Sequence, residues 1–168
     1  MSLVNGLPAH VLFVHFVVVL IPLTALALVV SAVWPRAARR LGPLLPLLAF
    51  ASLVTVPLTT QAGEWLERHV DSDPLVRRHT ELGDGLLPWA AGLFVLAAVV
   101  WWTTRRTAGQ PDGTPGRVRG GVVVRIAAAV LSVVVSVGAV IDVYRIGDSG
   151  AKAAWHDSFS QKATGHGG

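Results

Sequence analysis

Four long apolar runs, at about residues 11–34, 41–62, 86–102 and 126–144, constrain this chain more than any other feature. Each approaches the ~20 residues that cross a hydrocarbon layer of ~30 Å. Lipid offers no water to backbone amides and carbonyls, so runs of this kind fold as helices that satisfy their own hydrogen bonds. A hydrophobic share of 52% with 14% charged residues does not describe a soluble globule, and a mean hydropathy of +0.58 agrees. Asp73 followed by Pro74 pairs a helix cap with a first helical position, so the third helix is predicted to begin ahead of its apolar run. Asn5 and Pro8 open the first helix in a similar way, and Thr103 and Thr104 can close the third.

The expected fold is all-α: an integral membrane four-helix bundle, up-down-up-down, in one domain over residues 1–155. Its spans are expected at about 9–34, 41–66, 74–104 and 120–146, followed by a polar tail, 156–168, that frays. The first run has no basic region ahead of it and no small-residue cleavage site, so it is expected to remain as a helix. The Gly- and Pro-rich residues 107–116 read as a turn, and residues 147–151 are expected to break the fourth helix.

Arginines set the orientation. Arg36, Arg39 and Arg40 fill the first connection, and Arg105, Arg106, Arg117 and Arg119 flank the third. The middle connection mixes Arg68, Arg77 and Arg78 with Glu67, Asp71 and Asp73. Basic residues in short loops stay cytoplasmic, which places both termini outside. The net charge of +4 therefore serves topology, and no nucleic-acid motif accompanies it. With no cysteine, disulfides, iron–sulfur clusters and covalent c-type haem are excluded, and any metal must use His, Asp or Glu.

All six histidines, His10, His15, His69, His79, His156 and His166, fall on the predicted outer side. On the second helix Pro57, Thr60, Gln61, Glu64 and Arg68 share a stripe expected to face protein, because an intramembrane carboxylate is costly in lipid. His10 and His15 flank a face made by Val11, Val14, Val18 and Pro22, and both can border one cavity. On the third helix His79 shares a face with Leu82, Gly83 and Leu86, opposite Glu81, Asp84 and Pro88; His69 is assigned to the surface. The fourth helix aligns Gly138, Asp142 and Arg145, where Asp142 and Arg145 can pair, beside a small-residue stripe with Ser132 and Ser136.

The segments GLPAHVLFVHF, VPLTTQAGEW, HTELGD and VYRIGDSGAKAAW together resemble the bacterial four-helix membrane family catalogued as domain of unknown function 2231, over nearly the whole chain. The resemblance implies a bacterial inner (plasma) membrane location. Relatives joined to cytochrome-like modules imply redox chemistry, and a His is frequent in the family where this chain has Asp148, which removes that position as an expected ligand. Three readings follow. The first is a b-type haem for electron transfer with an outer redox partner, held by His10 or His15 opposite His79, with Arg68 or Arg145 meeting propionates. The second is a Zn, Cu or Fe site of His15, Glu64 and His79. The third is a noncatalytic membrane subunit or scaffold whose polar cluster is an ion-paired cap. No nucleophile with its base and no phosphate-binding Gly loop supports a hydrolase or ATPase.

Overall fold

The structure, a computed structural model, describes residues 3–4, 7–67, 74–108 and 115–155, with side chains described at 13–65, 74–75, 77–106 and 122–152. Two short strands, β1 (Leu3–Val4) and β2 (Leu7–Pro8), pair antiparallel ahead of the helices. The helices are α1 (Ala9–Val33), α2 (Pro35–Leu41), α3 (Leu44–Glu67), α4 (Pro74–Asp84), α5 (Leu86–Ala108) and α6 (Pro115–Trp155). Four segments are long and apolar enough to cross a membrane: Phe13–Val33, Leu44–Trp65, Arg77–Arg106 and Val122–Lys152. This is the all-α, four-span architecture that the apolar runs predict.

The four long helices form a ring in which α1 packs on α3 and α6, and α5 packs on the same two. Their lipid-facing sides are apolar, as exposed Phe16, Leu26, Phe50, Val95, Val134 and Ile141 illustrate. Lipid is as apolar as leucine, so helices here gain little from hiding hydrophobic surface and associate through close contact and interhelical hydrogen bonds. The interior is accordingly rich in small residues: Ala25, Ala32, Ala49, Ser52, Ala90, Ala97, Ser132 and Ala139 are buried around the larger Ile21, Leu28, Leu45 and Leu93.

Between α5 and α6 the Trp89 ring occupies the notch at Gly138. A Cβ added at Gly138 would collide with the six-membered part of the Trp89 ring. Gly92 faces Val135 and Gly85 faces Asp142, so the partner positions fall along α6 as they rise along α5, and the two helices are antiparallel. Buried hydroxyls tie other neighbours together. Ser52 Oγ lies 2.8 Å from Thr24 Oγ1 and 3.0 Å from the Leu48 carbonyl, so Thr24 can donate to Ser52 while Ser52 donates to the carbonyl. Ser136 Oγ donates to the Ala25 carbonyl at 3.2 Å, joining α6 to α1.

The elements differ from the sequence expectation in four places. The first connection contains a helix, α2, with Pro35 at its first turn and Gly42 at its end with φ of 50°, a conformation that glycine adopts without strain. Ala38 is buried while Arg36, Arg39 and Arg40 stay exposed. The third span is broken by a turn at Gly85, which separates α4 from α5. The fourth helix runs through Gly147–Ala151 to Trp155 instead of breaking, because Asp148 and Lys152 pair one turn apart and α4 packs alongside. Finally, α3 is rotated from the expected phase. Its buried positions are Leu45, Ala49, Ser52, Val56, Thr59 and Gly63, whereas Gln61 and Glu64 are exposed. One residue of phase is 100° of rotation, enough to carry the polar stripe out of the ring and admit Ala, Ser and Gly instead.

At the end opposite α4, Arg105 stacks 5.1 Å from the Trp101 ring centroid and Arg106 stacks 4.7 Å from that of Trp102. Cation–π contact and an amphipathic ring both suit the boundary between acyl chains and headgroups.

Two glycines of α6 give opposite expectations. Gly138→Ala forces its methyl into the Trp89 ring and should cost about 1–3 kcal/mol, lowering the thermal unfolding midpoint in detergent. Gly147→Ala meets nothing within 4 Å and should raise the midpoint, since alanine is favoured by about 1 kcal/mol in a helix.

Candidate functional site

The arrangement of α4 brings polar chemistry to one end of the ring. Its residues divide as helical spacing requires: His79, Leu82 and Gly83 turn inward with Leu86 of α5, while Glu81, Asp84 and Pro88 are exposed. This helix packs chiefly on α6 and also on α3 and α5, and the pairings His79–Gly150, Gly85–Asp142 and Gly92–Val135 show that it continues along α6 in the antiparallel sense of α5. Gly83 approaches Thr60 of α3, and His79 reaches α6.

His79 is the centre of the α4–α6 contact. Its Nδ1 lies 3.1 Å from the Ile146 carbonyl and 3.0 Å from Ser149 Oγ, and Ser149 itself donates to the same carbonyl at 2.8 Å. A carbonyl only accepts, and the Ser149 hydrogen is committed to it, so these partners together assign the proton to Nδ1. The imidazole edge lies flat against Gly150, where an added Cβ would stand 3.0 Å from Cε1 and 3.6 Å from Nε2. Glycine at 150 is therefore what lets the ring sit between the helices.

A cavity of about 130 Å³ opens beside this contact, lined by Arg78 of α4 and by Tyr144, Arg145, Asp148, Ser149 and Lys152 of α6. Leu75 and Leu82 form its apolar wall. Lys152 Nζ donates to Asp148 Oδ2 at 2.6 Å, and Arg77 faces Glu81 at 3.5 Å on the exposed side of α4. Among the described residues neither Arg78 nor Arg145 has a carboxylate within 4 Å. The expected Asp142–Arg145 ion pair does not form within that distance. Asp142 instead turns toward Gly85, and its Oδ2 is buried with no hydrogen-bond partner among the described residues.

The remaining expected site residues are not gathered here. His15 lies on the exposed side of α1, whose buried positions are Val17, Ile21, Thr24, Ala25, Leu28, Ser31 and Ala32. Val18 is likewise exposed, so the face expected to border a cavity is turned partly outward. Glu64 is exposed on α3. Among the described residues no three His, Asp or Glu side chains converge closely enough to hold a metal ion, so the expected His15, Glu64 and His79 set is not assembled. Arg68 and His69, and the side chain of His10, lie outside the described residues. His79, beside this cleft, and Arg145, which lines it, stand out in the sequence, whereas the lining residues Arg78 and Lys152 do not. The signal for Lys152 was its one-turn spacing from Asp148, which argues for continued helix through residues 147–151.

Four segments long and apolar enough to cross a bilayer, the third of them extended past Gly85 by the amphipathic α4, define a small multi-pass membrane protein. The chain matches the family described as "Predicted membrane protein (DUF2231)" over residues 6–163 and belongs to that family. No curated protein and no solved structure matches it.

Two substitutions examine this contact. Gly150→Val should displace the His79 ring and break its bonds to α6, so that amides of α4 exchange faster in hydrogen-exchange measurements while those of residues 86–100 keep their protection. Asp142→Asn replaces a half-buried carboxyl group, one oxygen of which is buried without a partner, by a neutral group of the same shape; it should stabilise the fold by about 1 kcal/mol and raise the unfolding midpoint. A lowered midpoint would show that the carboxylate itself is needed.

Proposed function

We propose that this chain is a noncatalytic subunit or scaffold of a plasma (inner) membrane, with both termini external and the α2 end cytoplasmic. The observation that carries this reading is that polar groups at the α4 end engage one another. His79 is held by Ile146 and Ser149, Lys152 by Asp148, and Arg77 by Glu81. The His79 contact secures α4 against α6, while the other two pairs lie within α6 and within α4 and satisfy charge locally. The orientation rests on Arg36, Arg39, Arg40, Arg105 and Arg106 at the opposite end.

The haem and metal readings rest on His79. An imidazole whose Nδ1–H is held by a backbone carbonyl leaves Nε2 basic, the arrangement that orients metal-bound histidines. The described surroundings do not fit a haem, however. Nε2 lies along Gly150 in the α4–α6 contact, His15 is exposed on another helix, and the adjoining cavity of about 130 Å³ falls well below the roughly 300–1,000 Å³ of cofactor pockets. No electron-transfer step is therefore assigned to these residues.

An optical spectrum and elemental analysis of protein purified in detergent separate the readings. The scaffold reading expects no Soret band, no stoichiometric Zn, Cu or Fe, and a lower unfolding midpoint for His79→Ala. A Soret band or bound metal that disappears in His79→Ala would overturn it. Orientation is tested separately, because the chain has no cysteine. Ser158→Cys should react with a membrane-impermeant maleimide on intact spheroplasts, and Gly113→Cys only after permeabilisation; the reverse pattern would invert the topology.

A further inference from the structure

Among the described residues, the α4–α6 cleft carries more positive charge than nearby carboxylates pair. Arg78, Arg145 and Lys152 line it with one carboxylate, Asp148, and that carboxylate is taken by Lys152 at 2.6 Å. The two guanidiniums come from different helices that His79 holds together; among the described residues neither has a carboxylate within 4 Å, and Arg145 feels Asp142 only from a greater distance. An anion in a cavity lined by two cationic groups is attracted to both, and more strongly at a membrane boundary, where the dielectric falls, than in water.

The chemistry of the cleft selects the kind of anion. Guanidinium groups present planar, forked N–H donors that match phosphate oxygens, and they desolvate more readily than ammonium groups. At about 130 Å³ the cavity suits a compact group and not a macrocycle. Its wall of Leu75 and Leu82, with the Tyr144 ring on α6, offers apolar surface to whatever the anion is attached to. The lining residues of α6 occupy the last turns of the span Val122–Lys152, the depth at which headgroups begin. We propose that the cleft between α4 and α6 binds a phosphate group, through Arg78 and Arg145, with Lys152 held beside them by Asp148. This site is independent of the scaffold reading and is tested without reference to it.

Tyr144 lines the cleft and is the chain's single tyrosine, so 3-fluorotyrosine labelling places one fluorine signal at the site. The full chain is purified in maltoside micelles, which contain no phosphate. One arm titrates inorganic phosphate against chloride at equal ionic strength. The other titrates phosphatidylglycerol against diacylglycerol, which has the same tails without the phosphate. The fluorine resonance is expected to shift saturably with a phosphate-bearing probe and with neither control. A response to phosphatidylglycerol alone identifies a lipid headgroup, and a response to inorganic phosphate identifies a free anion; both support the site. Arg78→Gln and Arg145→Gln should each weaken binding by about tenfold, the loss expected for one charge-assisted contact, whereas Arg36→Gln at the opposite end should leave it unchanged. Arg78 and Arg145 are exposed, and far-UV circular dichroism confirms that the variants remain helical. A resonance that moves with neither probe in the wild-type chain, or that moves equally in the double variant, would overturn the proposal.

Discussion

Within a bilayer, helices must find a reason to touch, because the surrounding acyl chains solvate leucine as well as another helix does. Here the reason is close approach. Alanine, serine and glycine line the inside of the ring, backbones come near enough for dispersion contacts to accumulate, and the Trp89 ring occupies the space that a side chain at position 138 would need. Hydroxyls at Thr24, Ser52 and Ser136 add interhelical bonds that lipid cannot replace. Each such bond contributes only about 0.6 kcal/mol on average, so packing carries the association and the hydroxyls fix its register.

The short helix α4 depends on that ring. An eleven-residue helix is marginal alone in water and requires a partner surface. That surface is the last part of α6, which extends beyond the apolar run far enough to present Ile146, Ser149 and Gly150 to His79. The extension explains why a helix of 41 residues is present where a span alone needs about 20. It also brings Arg145 and Lys152 across from Arg78, so the same packing contact creates the charged cleft beside it.

The fold was legible because hydropathy over ~20 residues is a strong signal and lipid permits few alternatives. The face of α4 was legible too, since His79, Leu82 and Leu86 follow a helical period and stand opposite charged neighbours. The phase of α3 was not. The expectation that Glu64 turns inward assumed that polarity decides which face is buried, whereas the small residues Ala49, Ser52 and Gly63 decided it. Glu64 sits close enough to the helix end to remain exposed there. The same error of scale affected residues 147–151, where two glycines were read as a break although a partner helix and an Asp148–Lys152 pair hold the backbone helical. Pro35 and Gly42 marked the ends of α2 in plain sight, but seven residues are too few to stand out against the apolar runs on either side. The cleft was invisible for a different reason: Arg78 and Lys152 are separated in sequence by a whole hairpin and meet only through tertiary packing.

The paired tryptophan–arginine stacks at the foot of α5 give the molecule a fixed draught in the bilayer. Indole rings resist both deeper immersion and withdrawal, and the guanidiniums above them resist immersion further. With one end moored, any mismatch between the protein and a thinner or thicker membrane is displaced to the other end. There the third span is interrupted by the turn at Gly85, so α4 and the α6 segment packed along it are the part that meets such a change in thickness.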